Sequence, residues 1–204
     1  MGSKAALVVF AGVDSKKAFQ GTPEIDRAKS KKLAESVLGA AVNETGLLAL
    51  DLAVWPDSGV ACVASFPGFE VFCCRGLARN RPSELTEQIS RLAAGRDAYG
   101  VFMHSAQDWA AFAVWSGGDL VRSLSVIPEA GVIEDRGERL PFELPFWKGE
   151  RPVRGETNYA LPFHPIDFGN EALRKFFCFI LEGSEDDSCI DPEKIEIPAF
   201  VTAS

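Results

Sequence analysis

The pattern of hydrophobic and polar positions along the chain predicts an α+β protein built around a β-hairpin. The clearest stretch is Asp108–Val126, DWAAFAVWSGGDLVRSLSV, where two apolar, β-prone runs flank the short polar gap Ser116–Asp119. A Gly-Gly pair in such a gap is typical of a hairpin turn. Lys4–Ala11 is apolar at nearly every position, which predicts a central strand that is buried on both faces.

Further strands and three helices follow from the same periodicities. Strands are predicted at Gly46–Ala53, Gly59–Phe66, Phe69–Cys74, Ala98–His104, Gly131–Asp135 and Ile195–Val201, with the last at an edge. Helices are predicted from Thr22-Pro23-Glu24 to Gly39, from Pro82-Ser83 to Gly95, and over Asn170–Leu181 with Gly183 as the stop. We expect a single α+β domain with a mainly antiparallel sheet of about six to eight strands.

Residues 127–167 differ in composition from the rest of the chain, with six prolines and several large aromatic side chains. Proline is poorly tolerated inside strands and helices, so this segment is predicted to be a flap that its aromatic side chains hold across the sheet. A long connection of this kind is usually functional, or it contains an element that the pattern does not reveal.

Composition and charge narrow the function classes. The chain has 204 residues, of which 47% are apolar and 25% charged, as expected for a globular protein with a core. The net charge is −8, and residues 101–204 hold 9 Lys/Arg against 18 Asp/Glu, whereas residues 1–100 hold 12 against 11. An acidic surface repels a phosphate backbone, so we expect no nucleic-acid partner.

Cysteine and histidine usage argues against metal or disulfide chemistry. The five cysteines form no CxxC pair and the chain has two histidines, so neither a metal site nor a cofactor is expected. Free thiols fit a reducing, cytoplasmic location. The apolar run Ala5–Ala11 is short for a signal peptide, and no run approaches the roughly 20 residues of a membrane helix, so no membrane association is expected.

Three arginines immediately before the second predicted helix are a candidate anion-binding site. Arg75, Arg79 and Arg81 precede a helix N-terminus, where unpaired N–H groups and the positive end of the helix dipole favour a phosphate or carboxylate. No Gly-rich phosphate loop accompanies them, so surface arginines that pair with nearby acids are the alternative.

Two histidines with nearby carboxylates are candidate catalytic groups. His104 and Asp108 are four residues apart at a strand junction that also holds Ser105, and His164 and Asp167 stand just before the third helix. Such pairs can transfer protons in catalysis. The alternative is structural, because a histidine at a strand end often hydrogen-bonds a loop and Asp167 can cap a helix.

Aromatic and charged side chains around the hairpin suggest a ligand or partner groove. Trp109, Trp115 and Trp147 are predicted to line it between sheet and flap, with Arg122 nearby. Arg122 is also expected to pair with a carboxylate and so tie the flap to the hairpin.

Several segments of the chain resemble, in order, a bacterial family of unknown function. They are MGSKAALVVFAG, FPGFEVFCCRGLARNRPSEL, HSAQDWAAFAVWSGGDLVRSLSV, EDRGERLPFELPFW and LPFHPIDFGNEALRKFFCFILEG. The resemblance covers nearly the whole chain and implies a bacterial, cytosolic, single-domain protein, without implying an activity.

Two function classes remain. The first is a binding or interaction module that holds a protein partner or a small-molecule ligand in an aromatic groove, and a homodimer is one form that such binding can take. The second is a metal-independent hydrolase or transferase that acts on an anionic small molecule. The second class requires a histidine, a carboxylate and the arginines to meet in one concave site.

Overall fold

The structure is a computed structural model that describes residues 2–12, 19, 24–153, 160–183 and 187–203. These residues form nine strands and five α-helices. The strands are β1 (Lys4–Ala11), β2 (Val42–Ala49), β3 (Ala61–Phe66), β4 (Phe69–Cys73), β5 (Asp97–His104), β6 (Trp109–Ser116), β7 (Asp119–Ile127), β8 (Gly131–Arg136) and β9 (Glu196–Thr202). The helices are α1 (Arg27–Leu38), α2 (Leu50–Ala53), α3 (Thr86–Ala93), α4 (Leu144–Trp147) and α5 (Pro165–Phe177). The α+β class is confirmed, and the nine strands and five helices exceed the expected totals of about six to eight strands and three helices.

All nine strands join one antiparallel sheet in the order β2-β9-β3-β4-β1-β5-β6-β7-β8. The predicted hairpin is confirmed as β6 and β7, with Ser116 opposite Asp119 at its turn. The strand β1 lies between β4 and β5, so its uniform apolar sequence reflects burial on both faces.

Helices cover both faces of the sheet and give the fold three layers. Side chains alternate along β1, so that Leu7 and Val9 join the core under α5 while Val8 and Phe10 join the core under α1 and α3. The long helix α5 packs on β5 and β6. The helix α1 packs mainly on β3 and α3 lies against β5, β6 and β7 on the other face.

The predicted strand Gly46–Ala53 is wrong in its second half, because Leu50–Ala53 is the short helix α2. Leu50 and Ala53 are buried while Leu52 is exposed, an i, i+3 spacing that suits one helical turn. The prediction that Ile195–Val201 lies at an edge is also wrong. The strand β9 is inserted between β2 and β3, and β2 takes the edge.

The predicted first helix is confirmed, but α1 starts later than the sequence suggests. Asp26 is its N-cap, and its side chain accepts a hydrogen bond from Lys29 N (2.9 Å). The predicted cap Thr22 and the following Pro23 lie outside the described residues. Gly39 ends the helix as predicted, with a left-handed φ of 68°.

The third predicted helix is shifted towards the N-terminus. It runs from Pro165 to Phe177 instead of Asn170–Leu181, because Pro165 suits the first helical turn and His164 serves as the N-cap. Cys178 adopts a left-handed φ of 60° and ends the helix, so Gly183 is not its stop.

The flap contains elements that the sequence pattern does not reveal. Pro141–Glu143 is a 3-10 turn that leads into the short helix α4, whereas the strand predicted at Gly131–Asp135 is confirmed as β8. Pro141 and Pro145 each stand in the first turn of their helical segment. Proline is tolerated there because the backbone N–H that it lacks would have no partner within the helix. Phe142 and Phe146 hold this segment against α5 through ring contacts with Phe168 at 5.8 and 5.1 Å between centroids.

We predict that Phe177→Ala destabilises the protein by about 3–5 kcal/mol, because the ring is fully buried in the core under α5. Leu52→Ala is the matched control, since 56% of Leu52 is exposed and its truncation should cost less than about 0.5 kcal/mol. Urea unfolding of both variants measures the two losses. Similar losses for the two variants would show that Phe177 does not lie in the core.

Candidate functional site

The three tryptophans predicted to line one groove lie on two faces of the sheet. Trp109 and Trp115 are buried on the face of α1 and α3, and their indole Nε1 atoms donate to Ser125 Oγ (2.9 Å) and Thr86 Oγ1 (3.1 Å). Trp147 packs against the core under α5 on the opposite face. Trp147 therefore lies on a different surface from Trp109 and Trp115, and these two serve as core side chains whose indole N–H groups are hydrogen-bonded.

Arg122 is a buried hub that ties β8 and the flap to the hairpin, as predicted. The side chain is 1% exposed and forms a bidentate pair with Glu143, from Nε to Oε1 (2.9 Å) and from Nη2 to Oε2 (2.6 Å). Its Nη1 donates to Asp135 Oδ1 (2.5 Å) and to the carbonyl oxygens of Arg136 (2.9 Å) and Gly137 (3.2 Å). The guanidinium therefore links two segments to β7, the end of β8 and the turn that contains Glu143.

The same hub orders the start of the 3-10 turn Pro141–Glu143. Glu143 Oε1 also accepts the N–H of Leu140 at 2.7 Å, so the buried carboxylate caps the turn that contains it. Burial by itself would lower the pKa of Arg122, but the hydrogen bonds and charges of Glu143 and Asp135 outweigh it and raise that pKa above its ordinary value. Arg122 consequently stays charged inside the core.

The helix N-terminus that was predicted to bind an external anion holds a carboxylate of the chain itself. Glu134 lies at the start of the 3-10 turn Pro82–Leu85, which leads into α3. Its Oε1 accepts the N–H of Ser83 (3.0 Å) and the hydroxyl of Ser123 (2.6 Å), and its Oε2 accepts the hydroxyl of Ser83 (2.5 Å). Arg136 Nε lies 3.4 Å from Oε2.

These contacts decide the charge state of Glu134. Burial by itself would raise the pKa of the carboxyl, but the hydrogen bonds from Ser123 and Ser83, with the charge of Arg136, lower the pKa below its ordinary value. Glu134 is therefore an internal anion at the positive end of a helix. The N–H and the hydroxyl of Ser83 at this helix start therefore already donate to a carboxylate of the chain.

Arg75, the first arginine of the predicted cluster, has a structural environment. Its Nε donates to the carbonyl of Pro56 (2.6 Å), its Nη2 lies 3.3 Å from Asp57 Oδ1, and its guanidinium lies 5.6 Å from the ring of Trp55. Arg79 and Arg81 are exposed on the segment that follows. The alternative of surface arginines with local partners thus describes Arg75, and an anion-binding role of the other two stays a prediction.

His104 does not pair with Asp108. Its ring lies edge-on to Trp55, with 5.5 Å between centroids, and Nδ1 is buried without a hydrogen-bond partner among the described residues. Burial, and then the charge of Lys4, lower the pKa of His104 below its ordinary value, so that the imidazole is neutral at pH 7.

The fold brings His164 to Asp108 instead, with 3.7 Å between Nε2 and Oδ1. The other ring nitrogen, Nδ1, accepts the N–H of Ile166 at 3.1 Å as the cap of α5. Asp167 is exposed on the first turn of that helix. The predicted pairs His104–Asp108 and His164–Asp167 are therefore not formed. His164 has a structural role through Nδ1, which caps α5.

The cysteines have the environment of packing residues. Cys73 is buried under α5 and Cys74 packs on the other face, as expected for neighbours on a strand. Burial raises the pKa of Cys62 to about 12 and raises those of Cys73 and Cys74. In the described part of the chain, no group of three or more His, Cys, Asp or Glu side chains is placed to hold a metal ion, and no helix could span a membrane.

A cleft of about 600 Å³ between α5 and residues 140–151 has a mainly apolar lining with charged residues in its walls, and we call it the α5 groove. Its lining residues are Tyr99, Leu140, Pro141, Phe142, Pro145, Phe146, Arg151, Glu171, Arg174, Lys175 and Phe176. The volume suits a small organic molecule. This cleft lies between α5 and the flap, and its lining includes none of the residues predicted to line a groove between sheet and flap, namely Trp109, Trp115, Trp147 and Arg122.

Mutually packed rings shape the groove. Phe176 of α5 lies 5.6 Å from Phe142 and 5.4 Å from Tyr99 of β5, measured between ring centroids. Phe142 also contacts the buried Phe112 of β6 at 5.3 Å. Because each ring has buried neighbours, the groove is formed before any ligand arrives.

Sequence reasoning missed these groove residues because they come from three distant segments. The signal available was the run Pro141–Trp147, PFELPFW, in which Phe142 and Phe146 are four residues apart and therefore share one face if the run is helical. Because proline is poorly tolerated inside a helix, the two prolines of this run led to the prediction of a flap without helices.

Two other cavities are lined mainly by polar side chains. One, of about 620 Å³, lies beside the chain between α5 and β9 and is lined by carboxylates such as Asp51, Glu182 and Asp191. The other, of about 850 Å³, adjoins the α5 groove and shares Phe146, Arg151, Glu171 and Arg174 with it. The α5 groove has three further aromatic lining residues, Tyr99, Phe142 and Phe176.

The first prediction from this region concerns the Arg122 hub. Arg122→Met should cost about 3–5 kcal/mol, because it leaves the fully buried Glu143 carboxylate without its counter-charge. Adding Glu143→Leu should recover most of that loss, because two apolar side chains replace a buried ion pair at little net cost. Urea unfolding of both single variants and the double variant measures the coupling, and additive losses would contradict the pairing.

The second prediction concerns the pH dependence of stability at Glu134. Its folded pKa lies below the ordinary value of 4.5, so the stabilisation is complete above pH 4.5 and is lost as pH falls through the folded pKa. Glu134→Gln should therefore cost about 1–2 kcal/mol at pH 7 and progressively less below pH 4.5.

Urea unfolding between pH 7 and pH 3 measures this difference. Glu87→Gln is the matched control, because Glu87 is exposed on α3 and its removal should change stability little at any pH. A constant difference between wild type and Glu134→Gln across the range would show that the Glu134 charge is not stabilising.

Comparison with known proteins places the chain in a family. The model described as "Family of unknown function (DUF6928)" matches residues 5–200, from β1 into β9. Searches of curated proteins and of solved structures give no significant match. A match over nearly the entire chain includes the hairpin, the Arg122 hub and every residue of the α5 groove. The chain therefore belongs to the DUF6928 family.

Proposed function

We propose that this protein is a cytoplasmic binding module that holds a small organic ligand in the α5 groove. The observation that carries the proposal is an apolar cavity of about 600 Å³ whose aromatic rings come from β5, the flap and α5. Pockets of this volume with an apolar lining and a few charged groups are typical of ligand sites. All five cysteines are thiols, which is consistent with a reducing compartment.

The walls of the groove support a stable site. Glu143 fixes the flap wall through Arg122, and the ring contacts of Phe142 and Phe176 join that wall to α5. A pre-formed site spares the ligand the cost of ordering the protein, which favours binding. An acid–base pair is not part of the groove lining, where Glu171 is engaged by Arg174 and Lys175.

The second candidate is a metal-independent hydrolase or transferase acting on an anionic small molecule. The observation in its favour is the contact of His164 with Asp108, an imidazole and a carboxylate from separate elements. A panel of chromogenic esters and phosphate esters tests it. Turnover by the wild type that is lost in His164→Gln would favour this candidate over the binding module.

We expect the neutral fluorescent probe N-phenyl-1-naphthylamine to bind saturably, with one site per chain, because its aromatic rings match the lining of the groove. Leu140→Trp should weaken this binding at least about tenfold, since the larger side chain would fill the half-buried rim of the cavity. Fluorescence titration gives both affinities.

Leu120→Trp is the matched control, because Leu120 is half-buried against the core under α3, on the other face of the sheet. This variant should bind the probe like the wild type. Equal effects of the two substitutions, or no saturable binding by the wild type, would rule out the α5 groove as the site.

A further inference from the structure

Cys178 and Cys189 lie side by side at the C-terminal end of α5. The backbone carbonyl of Cys178 accepts the N–H of Ile190 at 2.7 Å, and the Cys178 thiol donates to the carbonyl oxygen of Ser188 at 3.2 Å. Ser188 and Ile190 are the chain neighbours of Cys189. Both peptide groups that flank Cys189 therefore contact Cys178.

The spacing of the two cysteines is compatible with a disulfide bond. A carbonyl oxygen lies about 2.4 Å from the Cα atom of its own residue, and an amide nitrogen lies about as far from the preceding Cα atom. The 2.7 Å hydrogen bond from Ile190 to Cys178 thus limits the separation of the Cys178 and Cys189 Cα atoms to about 7.5 Å in a linear arrangement, and any bend shortens it. Disulfide-bonded residues have Cα atoms about 4.4–6.8 Å apart. The contact with Ser188 already turns the Cys178 thiol towards the backbone of Cys189.

These two thiols differ in solvent access from the other pair of neighbouring cysteines. Cys178 and Cys189 are both half-buried, and Cys189 lines the cavity of about 620 Å³ beside α5. Cys62 and Cys73 lie opposite each other on β3 and β4, but both are fully buried. Burial raises the pKa of Cys62 to about 12 and also raises that of Cys73, so neither readily forms the thiolate that reacts with an oxidant.

We infer that Cys178 and Cys189 are an oxidation site, at which a peroxide converts two thiols into one intramolecular disulfide bond. Cys189 reacts first, because it lines the cavity that admits a small oxidant. Its sulfur attacks one oxygen of hydrogen peroxide and the O–O bond breaks, which yields a sulfenic acid on Cys189 and one water. The Cys178 sulfur then displaces the sulfenic hydroxyl, which leaves as a second water, and the S–S bond forms. The two thiols together lose two electrons, and the peroxide gains them.

The new bond would join the end of α5 to the chain that leads to β9. Cys178 ends α5, and Cys189 stands shortly before Glu196, where β9 begins. The cross-link would therefore restrain the helix that forms one wall of the α5 groove. Thiol reductants reverse such a bond, so the site is compatible with a reducing compartment.

Mass spectrometry of the purified, fully reduced protein tests the site. Hydrogen peroxide is added at low molar excess, and N-ethylmaleimide then blocks the remaining thiols under denaturing conditions. We expect alkylation of three of the five cysteines, and a digest that contains a Cys178–Cys189 cross-linked peptide. The oxidised chain should run as a monomer in a non-reducing gel, and dithiothreitol should restore alkylation at both sites.

Single variants test the order of the two steps. Cys178→Ser should keep the first step and lose the second, so dimedone, which traps sulfenic acids, should label Cys189 in this variant. Cys189→Ser should show neither the cross-link nor a dimedone label on Cys178. Cys74→Ser is the matched control, because Cys74 is also half-buried and its removal should leave the Cys178–Cys189 cross-link unchanged.

Three results would overturn the inference. The first is alkylation of all five cysteines in the peroxide-treated wild type. The second is a cross-link that joins any other pair of cysteines or joins two chains. The third is equal dimedone labelling of Cys178 in Cys189→Ser and of Cys189 in Cys178→Ser, which would show that the cavity does not select the thiol that reacts first.

Discussion

The buried pair of Arg122 and Glu143 is the interaction on which the arrangement of the second half of the chain depends. A charge in the core is costly unless it is paired and hydrogen-bonded, and the Arg122 guanidinium meets that condition with two carboxylates and backbone carbonyls. Those partners belong to the end of β8 and to the turn before α4. A guanidinium on β7 therefore determines where the flap lies.

The consequence of this pairing reaches the α5 groove. Glu143 follows Phe142 directly and caps the turn that begins at Leu140, so the Arg122 hub sets the position of one wall of the cleft. The other wall, α5, is held by ring contacts between Phe142 and Phe176 and by the core beneath the helix. Polar contacts on one side and aromatic packing on the other together keep the cleft open at about 600 Å³.

The structure also explains part of the acidity of the second half. Glu134 and Glu143 are buried and Asp135 is exposed, and each of the three accepts a hydrogen bond from a buried serine or arginine. Glu134 supplies the anion that a helix N-terminus favours, and it does so from within the chain. The helix start that the sequence suggests as an anion site is thus occupied by a carboxylate from β8.

The match to the DUF6928 family runs from β1 into β9 and so covers both the sheet and the α5 groove. The function argued for the chain depends on the α5 groove, and neither of the two histidines takes part in its lining. His164 is the N-cap of α5, and His104 packs against Trp55. Both histidines therefore make structural contacts.

The sequence by itself determined the elements whose signal is local. The Gly-Gly turn between β6 and β7, the uniform apolar run of β1 and the Gly39 end of α1 are each read from neighbouring residues, and all three are present. Opposite faces for Cys73 and Cys74 follow from strand geometry in the same way.

Only the tertiary structure decided which distant residues meet. Three features join segments that are far apart in the chain. They are the contact of His164 with Asp108, the hydrogen bonds from Ser83 to Glu134, and the walls of the α5 groove. Sequence periodicity shows which face of a helix or strand is apolar, but it does not show which other element packs against that face. The short helix α4 was hidden for a related reason, because its prolines are unfavourable within a helix and favourable at its first turn.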